Sequence, residues 1–390
     1  MRINLSKFAG IGLLLILFGG AFASKFLNAY QLLLSLLVIG VFLRLICNSS
    51  FPLQISRPEI RSIVIFILII CITCFFSTDR ISSFKYLFLW VSILLIVQIA
   101  LYDRESKSKI YNIFVCFCFI ECFFILLQRI APSVVDGLNS ILLSSYVEDL
   151  APPLDLHDAY TGIAANQPHA MFFSFCVFCI GIIRAQKKVS VINIGTAVLG
   201  MACMLLSGKR SAIAIVAITL LYMRVVVYKR KAEFSLQWRL LLVVICGVGL
   251  YLLFFTELGI NLISKNESLI STGDISNGRL YLISEMMRIF KEHPIVGIGP
   301  LATYSYAGMY LGHNIYVQAL EEMGLIGFCG LTYMLLLNLR RKTQVIREGA
   351  REDADYFCVY VQLFFIIYGF FGNPLFSYMF LIPYILFSTL

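Results

Sequence analysis

Runs of about 20 apolar residues recur along this chain, each long enough to cross a bilayer as a helix. They fall at 8–24, 27–46, 62–77, 84–101, 110–130, 169–184, 189–206, 211–228, 240–256, 314–338, 356–372 and 375–390. Hydrophobic residues make up 60% of the chain and charged residues only 14%, with a mean hydropathy of +0.88. A soluble domain carries about 25% charged residues. The expected fold is therefore all-α: a polytopic integral membrane bundle of about 12 transmembrane helices, forming one domain over residues 1–390. The first run follows Arg2 and Lys7 and ends near Ala21-Phe22-Ala23, like a signal peptide. Because another apolar run starts at Phe26, it is read as an uncleaved first span.

The net charge of +9 would suggest nucleic acid as a partner in a soluble protein. Here the Lys/Arg bias of cytoplasmic loops explains it, and nucleic acid is not expected. With the N-terminus inside, about two thirds of the 31 lysines and arginines fall on the cytoplasmic side, although the outer segments are longer. Two large loops then face outward. Residues 131–168 are acidic, with Asp136, Glu148, Asp149, Asp155 and Asp158. Residues 257–313 form the larger loop, and His157, His169, His293 and His313 lie in or at the edge of the two.

Within the larger loop, Gly278 to Pro294 predicts one helix, with Asn277 as N-cap and Pro294 as stop signal. Leu280, Ile283, Met287 and Phe290 form an apolar stripe opposite Ser284, Glu285, Arg288, Lys291 and Glu292, so the helix is expected in the membrane interface. The cysteines lie almost entirely inside apolar runs. Cys71/Cys74 and Cys176/Cys179 are expected to pack as small apolar residues rather than to bind metal. Asp155-Leu156-His157-Asp158 lacks a fourth metal ligand by spacing, and Asp353-Ala354-Asp355 lies in a cytoplasmic charge run. No metal or cofactor is expected. Glu121 is an isolated acid inside a span.

Charges near a membrane span are costly, which makes them candidates for function. Lys209-Arg210 occupies a short turn between two spans at the outer boundary, against the positive-inside trend, and suits an anion. The bland alternative is snorkelling to lipid headgroups. Arg279 begins the interfacial helix, where a cation opposes the macrodipole unless an anion sits there as well. His313 stands where the second loop enters a span. Asn314, Gln318 and Glu321 follow on one helix face with Glu322 adjacent, a polar stripe that makes His313 a candidate proton acceptor. Gly324, Gly327 and Gly330 below it suggest close helix packing.

Three segments, in this order and spacing, resemble the O-antigen polymerase and O-antigen ligase superfamily. They are Ser207-Gly208-Lys209-Arg210-Ser211-Ala212, Gly278-Arg279-Leu280 through Glu292-His293-Pro294-Ile295-Val296-Gly297-Ile298-Gly299-Pro300, and Gly312-His313-Asn314-Ile315-Tyr316 through Glu322-Met323-Gly324-Leu325-Ile326-Gly327-Phe328. The resemblance implies a bacterial inner-membrane glycosyltransferase with its site on the periplasmic side. The implied donor is an undecaprenyl-pyrophosphate-linked oligosaccharide. Membrane lipid, a chain-length regulator and a flippase of the same pathway are the implied partners. By motif, Arg210 and Arg279 would hold the pyrophosphate and His313 would act on the acceptor hydroxyl. Lys209 stands where the family usually has serine. Lys209, Asn314, Arg288, Glu321 and Tyr304 are the expected substrate contacts.

The polymerase branch is preferred on the His313-Asn314 and Glu321-Glu322-Met323-Gly324 segments, with the ligase as alternative. A secondary transporter or lipid flippase is the rival from another class. It should show paired intramembrane charges and broken helices in both halves.

Overall fold

The computed structural model of the protein describes Gly12, Ile16, Gly19 and residues 29–46, 55–101, 107–142, 159–164, 166–209, 211–228, 279–308, 312–349 and 352–390. The expected spans 8–24 (bar three residues) and 240–256, together with Arg210, Asn277 and the Glu148–Asp158 acidic stretch, lie outside the described residues.

Among the described residues the ordered elements are helices: α1 (Ala29–Ile46), α2 (Pro58–Phe75), α3 (Arg80–Ala100), α4 (Lys107–Ile130), α5 (Pro132–Leu142), α6 (Gln167–Lys187), α7 (Val191–Leu206), α8 (Ser211–Tyr222, continued by a π turn, Met223–Val227), α9 (Arg279–Glu292), α10 (Thr303–Ala307), α11 (Ile315–Arg347), α12 (Asp353–Tyr368) and α13 (Tyr378–Thr389). Five of them, α2, α3, α4, α6 and α11, are long and apolar enough to cross a membrane. Shorter apolar helices coincide with further expected spans, at Tyr30–Phe42, Val191–Leu206, Ser211–Val227 and Tyr378–Thr389. The all-helical expectation is met; the count of about twelve spans is not confirmed.

Helix α6 is the axis of the bundle, with every residue from His169 to Ile183 buried. Its closest neighbour is α7, because Gly181 lies against the Ala197 backbone and Gly200 against Phe178 and Ser174. Small residues let helices approach where lipid supplies no hydrophobic drive. Cys74, Cys176 and Cys179 pack in this core, as expected. Gly330 of α11 sits on Ile69 and Phe66 of α2.

Charges tie the helices at one end of the bundle. Asp353 pairs with Lys187 at 2.6 Å and Arg184 at 3.7 Å, Asp355 pairs with Lys107, and Arg57 donates to the Thr389 carbonyl at 3.0 Å. The Asp353-Asp355 pair therefore serves as a clamp among cations.

One expectation is corrected. Glu121 does have a partner: its Oε2 accepts the Ile163 N–H at 3.2 Å. The 160–164 segment turns back into the bundle there, with Gly162 at φ +57° because a side chain would strike the Glu121 carboxylate. The Gln128 Oε1 accepts the Thr161 and Gly162 N–H groups, both at 2.9 Å. Helix α9 forms where expected, with Met286 and Ile289 buried and the Leu280-Ile283-Met287-Phe290 stripe left partly exposed. Leu280 is 69% exposed. Helix α9 packs on α11, and its Ile289 packs with Ile298 and Ala302 of the loop that follows it.

Candidate active site at one end of the bundle

At the end opposite the Asp353 clamp, α11 is a broken helix. Gly324 has φ +63° and ψ −164°, a conformation foreign to a helix. The break separates two hydrogen-bonded pairs that a continuous helix would have, 321 with 325 and 322 with 326. A loop inserted from the α9–α10 connection satisfies all four freed groups. Ile298 N–H donates to the Glu321 carbonyl at 3.2 Å and Gly299 N–H to the Glu322 carbonyl at 2.7 Å. Leu325 N–H donates to the Pro294 carbonyl at 2.9 Å and Ile326 N–H to the Ile295 carbonyl at 3.3 Å. Inside a bilayer each unmet group would cost several kcal/mol, so this substitution is what makes the break tolerable.

Glycines make room for the insertion. A Cβ on Gly297 would lie 2.3 Å from the Glu322 carbonyl carbon, and one on Gly324 would lie 2.2 Å from the Ile295 oxygen. The expected packing role of Gly324 is therefore corrected: it marks the break, whereas Gly330 packs as expected.

Side chains fasten the same loop. Buried Glu322 accepts from Leu301 N–H at 2.9 Å, Thr303 Oγ1 at 2.8 Å and Gln318 Nε2 at 3.0 Å. Leu301 is held at φ +59°, a strained region for a bulky residue. On the other side, the α2–α3 turn grips the loop. The Thr78 N–H donates to the Ile298 carbonyl at 2.9 Å, and Ser83 Oγ donates to the Pro300 carbonyl at 2.7 Å. Asp79 caps α3 by accepting from Ser82, which holds its carboxyl below the usual range.

His313 stands just before α11. Asn314 caps that helix, accepting from Tyr316 N–H at 3.0 Å and Val317 N–H at 3.2 Å. Asn373, in the α12–α13 connection, donates to the Gly312 carbonyl. The His313 side chain keeps contact with solvent, yet its imidazole is held below its ordinary pKa. The largest cause is loss of water around the ring, followed by the charges of Arg279 and Lys209. Three distant segments, ending α7, starting α9 and preceding α11, thus converge electrostatically on one imidazole. The charge of Arg279 also reaches Tyr368 at the end of α12.

The other expected contacts separate in kind. Arg288 is engaged by Glu285 at 2.9 Å and Glu292 at 2.6 Å on its own helix. Tyr304 is 62% exposed on α10. Glu321 is wholly buried, and neither carboxylate oxygen has a hydrogen-bond partner among the described residues. Sequence reasoning gave little weight to Glu322, and none to Ser83, Thr303 or Asn373. Their signal was faint: single polar residues bordering apolar runs.

These features define a class: an integral membrane protein whose candidate site, at one end of its helical bundle, is a histidine that feels the charges of two cations. Residues 195–332 match the family model described as O-Antigen ligase, consistent with the O-antigen polymerase and ligase superfamily that the motifs resemble. The match implies a membrane enzyme of the polymerase or ligase type, with glycosyltransferase-like activity on a lipid-linked glycan. A comparison with curated proteins finds no match.

Proposed function

We propose that the protein polymerises undecaprenyl-pyrophosphate-linked O-antigen repeat units on the periplasmic face of the bacterial inner membrane. The observation that supports this reading is that the charges of Arg279 and Lys209, from distant parts of the sequence, are both felt at the His313 imidazole. An activated sugar outside the cytoplasm arrives on a lipid diphosphate, and its departure develops negative charge. Arg279 and Arg210 stabilise that charge, since guanidinium matches phosphate oxygens bidentately and stays protonated. His313, whose pKa is lowered by loss of water around the ring and then by the charges of Arg279 and Lys209, takes the proton from the acceptor hydroxyl. The hydroxyl oxygen bonds to the anomeric carbon as the bond to the diphosphate breaks, and polyprenyl diphosphate leaves. Inversion at that carbon follows from direct displacement.

The test is single substitution. Arg279→Ala and His313→Ala should each abolish polymer in cells while the protein stays in the membrane, and in vitro turnover by His313→Ala should fall about 10²–10⁴-fold. Normal polymer length and yield in both would end this reading. The ligase is the second reading, favoured by the description of the matching family model. Gene deletion separates the two. Loss of a polymerase leaves lipid A-core bearing a single repeat unit, and loss of a ligase leaves bare core with polymer held on the carrier lipid. The transporter reading is weakened by what fills the break in α11, which is a loop of the chain itself rather than an open ion path.

A further inference from the structure

A polymerisation in which both reactants are lipid-linked needs two lipid diphosphates on one face of the protein at once. The Lys209-Arg279-His313 site accounts for one. On the outward side of α3, between it and α1, runs an open groove of about 750 Å³. Tyr30 and Leu34 of α1 and Phe84 and Phe88 of α3 form its walls, and Arg80 and Lys85 of α3 stand along it. Tyr30 and Phe88 meet at 6.3 Å between ring centroids, closing one side. Arg80 and Lys85 are exposed, and neither makes an ion pair among the described residues. Asp79, which precedes Arg80 in the sequence, already accepts from the Ser82 N–H and hydroxyl. Paired cations beside an apolar, aromatic channel are complementary to an anionic head on a long hydrocarbon tail.

Position connects this groove to the site. The first turns of α3 touch both structures that frame His313. Ser83 Oγ donates to Pro300 in the inserted loop, and Tyr86 stacks on Phe376 at 5.0 Å in the connection that also hydrogen-bonds Gly312. We propose that the α1–α3 groove seats the second polyprenyl diphosphate, the one carrying the acceptor repeat unit, with its diphosphate on Arg80 and Lys85 and its first isoprene units along Leu34, Phe84 and Phe88. The glycan then reaches across the inserted loop toward His313. This assignment rests on the polymerase reading, because a ligase acceptor carries no such lipid.

The experiment uses the full chain in phosphatidylcholine nanodiscs with undecaprenyl diphosphate as probe, counted by native mass spectrometry and titrated to equilibrium. The wild-type chain should hold two molecules. Arg80→Ala/Lys85→Ala should lose one, with at least a tenfold weaker second binding step, and Arg80→Lys/Lys85→Arg should keep both. Leu34→Trp, which fills the channel from an exposed lipid-facing position without touching charge, should also lose one. Arg279→Ala should lose the other.

Retention of two molecules by both Arg80→Ala/Lys85→Ala and Leu34→Trp overturns the proposal. So does equal displacement of the groove-bound probe by phosphatidylglycerol, which would make the groove a general anionic-lipid seat. If Arg279→Ala binds two and makes normal polymer while the groove variants still lose one, the catalytic reading fails and the groove's lipid binding stands.

Discussion

An imidazole beside two cations gives up its proton more readily than one in open water, and His313 is in that position. A proton acceptor must start neutral, so the rate should rise with pH through the His313 pKa and level off above it. Since that pKa is depressed, the acid limb should lie below the value of about 6.5 typical of histidine. Lys209→Met removes one of the depressing charges and should move the limb to higher pH, measurable in a pH–rate profile on lipid-linked substrate. A limb that stays put would mean that another group titrates. At the same scale, Gly297→Ala and Gly324→Ala place a methyl against backbone at positive φ, and each should destabilise the protein by about 1–3 kcal/mol, read as a lowered melting temperature in detergent.

Helix α11 and the loop inserted into it behave as one element. Glu322 gathers three donors, so Glu322→Ala would leave the Leu301 N–H, Thr303 hydroxyl and Gln318 amide without their acceptor. Each buried unmet group costs about 1–3 kcal/mol, so this variant should melt well below the Gly variants and lose activity with its fold. Protease cleavage near Leu301 in the folded variant would report the released loop. How far this element was legible follows from two residues. Gly330 and Gly324 share one spacing in the sequence, yet one packs on α2 and the other breaks the helix. Periodicity cannot separate them, because the break is stabilised by backbone groups some 25 residues upstream, which carry no side-chain signature. Lys209, Arg279 and His313 were legible as candidates because an ionisable residue at a membrane boundary has few reasons to be there. The packing face of α9 was not, since in a membrane an apolar stripe can face lipid as readily as protein.

At the scale of the whole molecule, the two ends of the bundle differ in chemistry. One end is tied by Asp353 and Asp355 to Lys107, Arg184 and Lys187, and the other carries the His313 site. On the proposed orientation, drawn from the cation bias along the sequence, the Asp353 end is cytoplasmic and the His313 end periplasmic. A reporter inserted after Gly349 should therefore read as cytoplasmic and one inserted after Gly308 as periplasmic, with alkaline phosphatase active only at the second. Both positions are exposed turns where insertion is tolerated. Activity at both, or at Gly349 alone, would invert the orientation and remove the lipid-linked donor from reach.

The threading of residues 294–299 through α11 limits how this enzyme can move. A flap that swung outward would strip four peptide groups of their partners. On the proposed reading the stretch below His313 is thus a fixed floor, and substrates enter and leave by shifts of other walls rather than through a door in that floor.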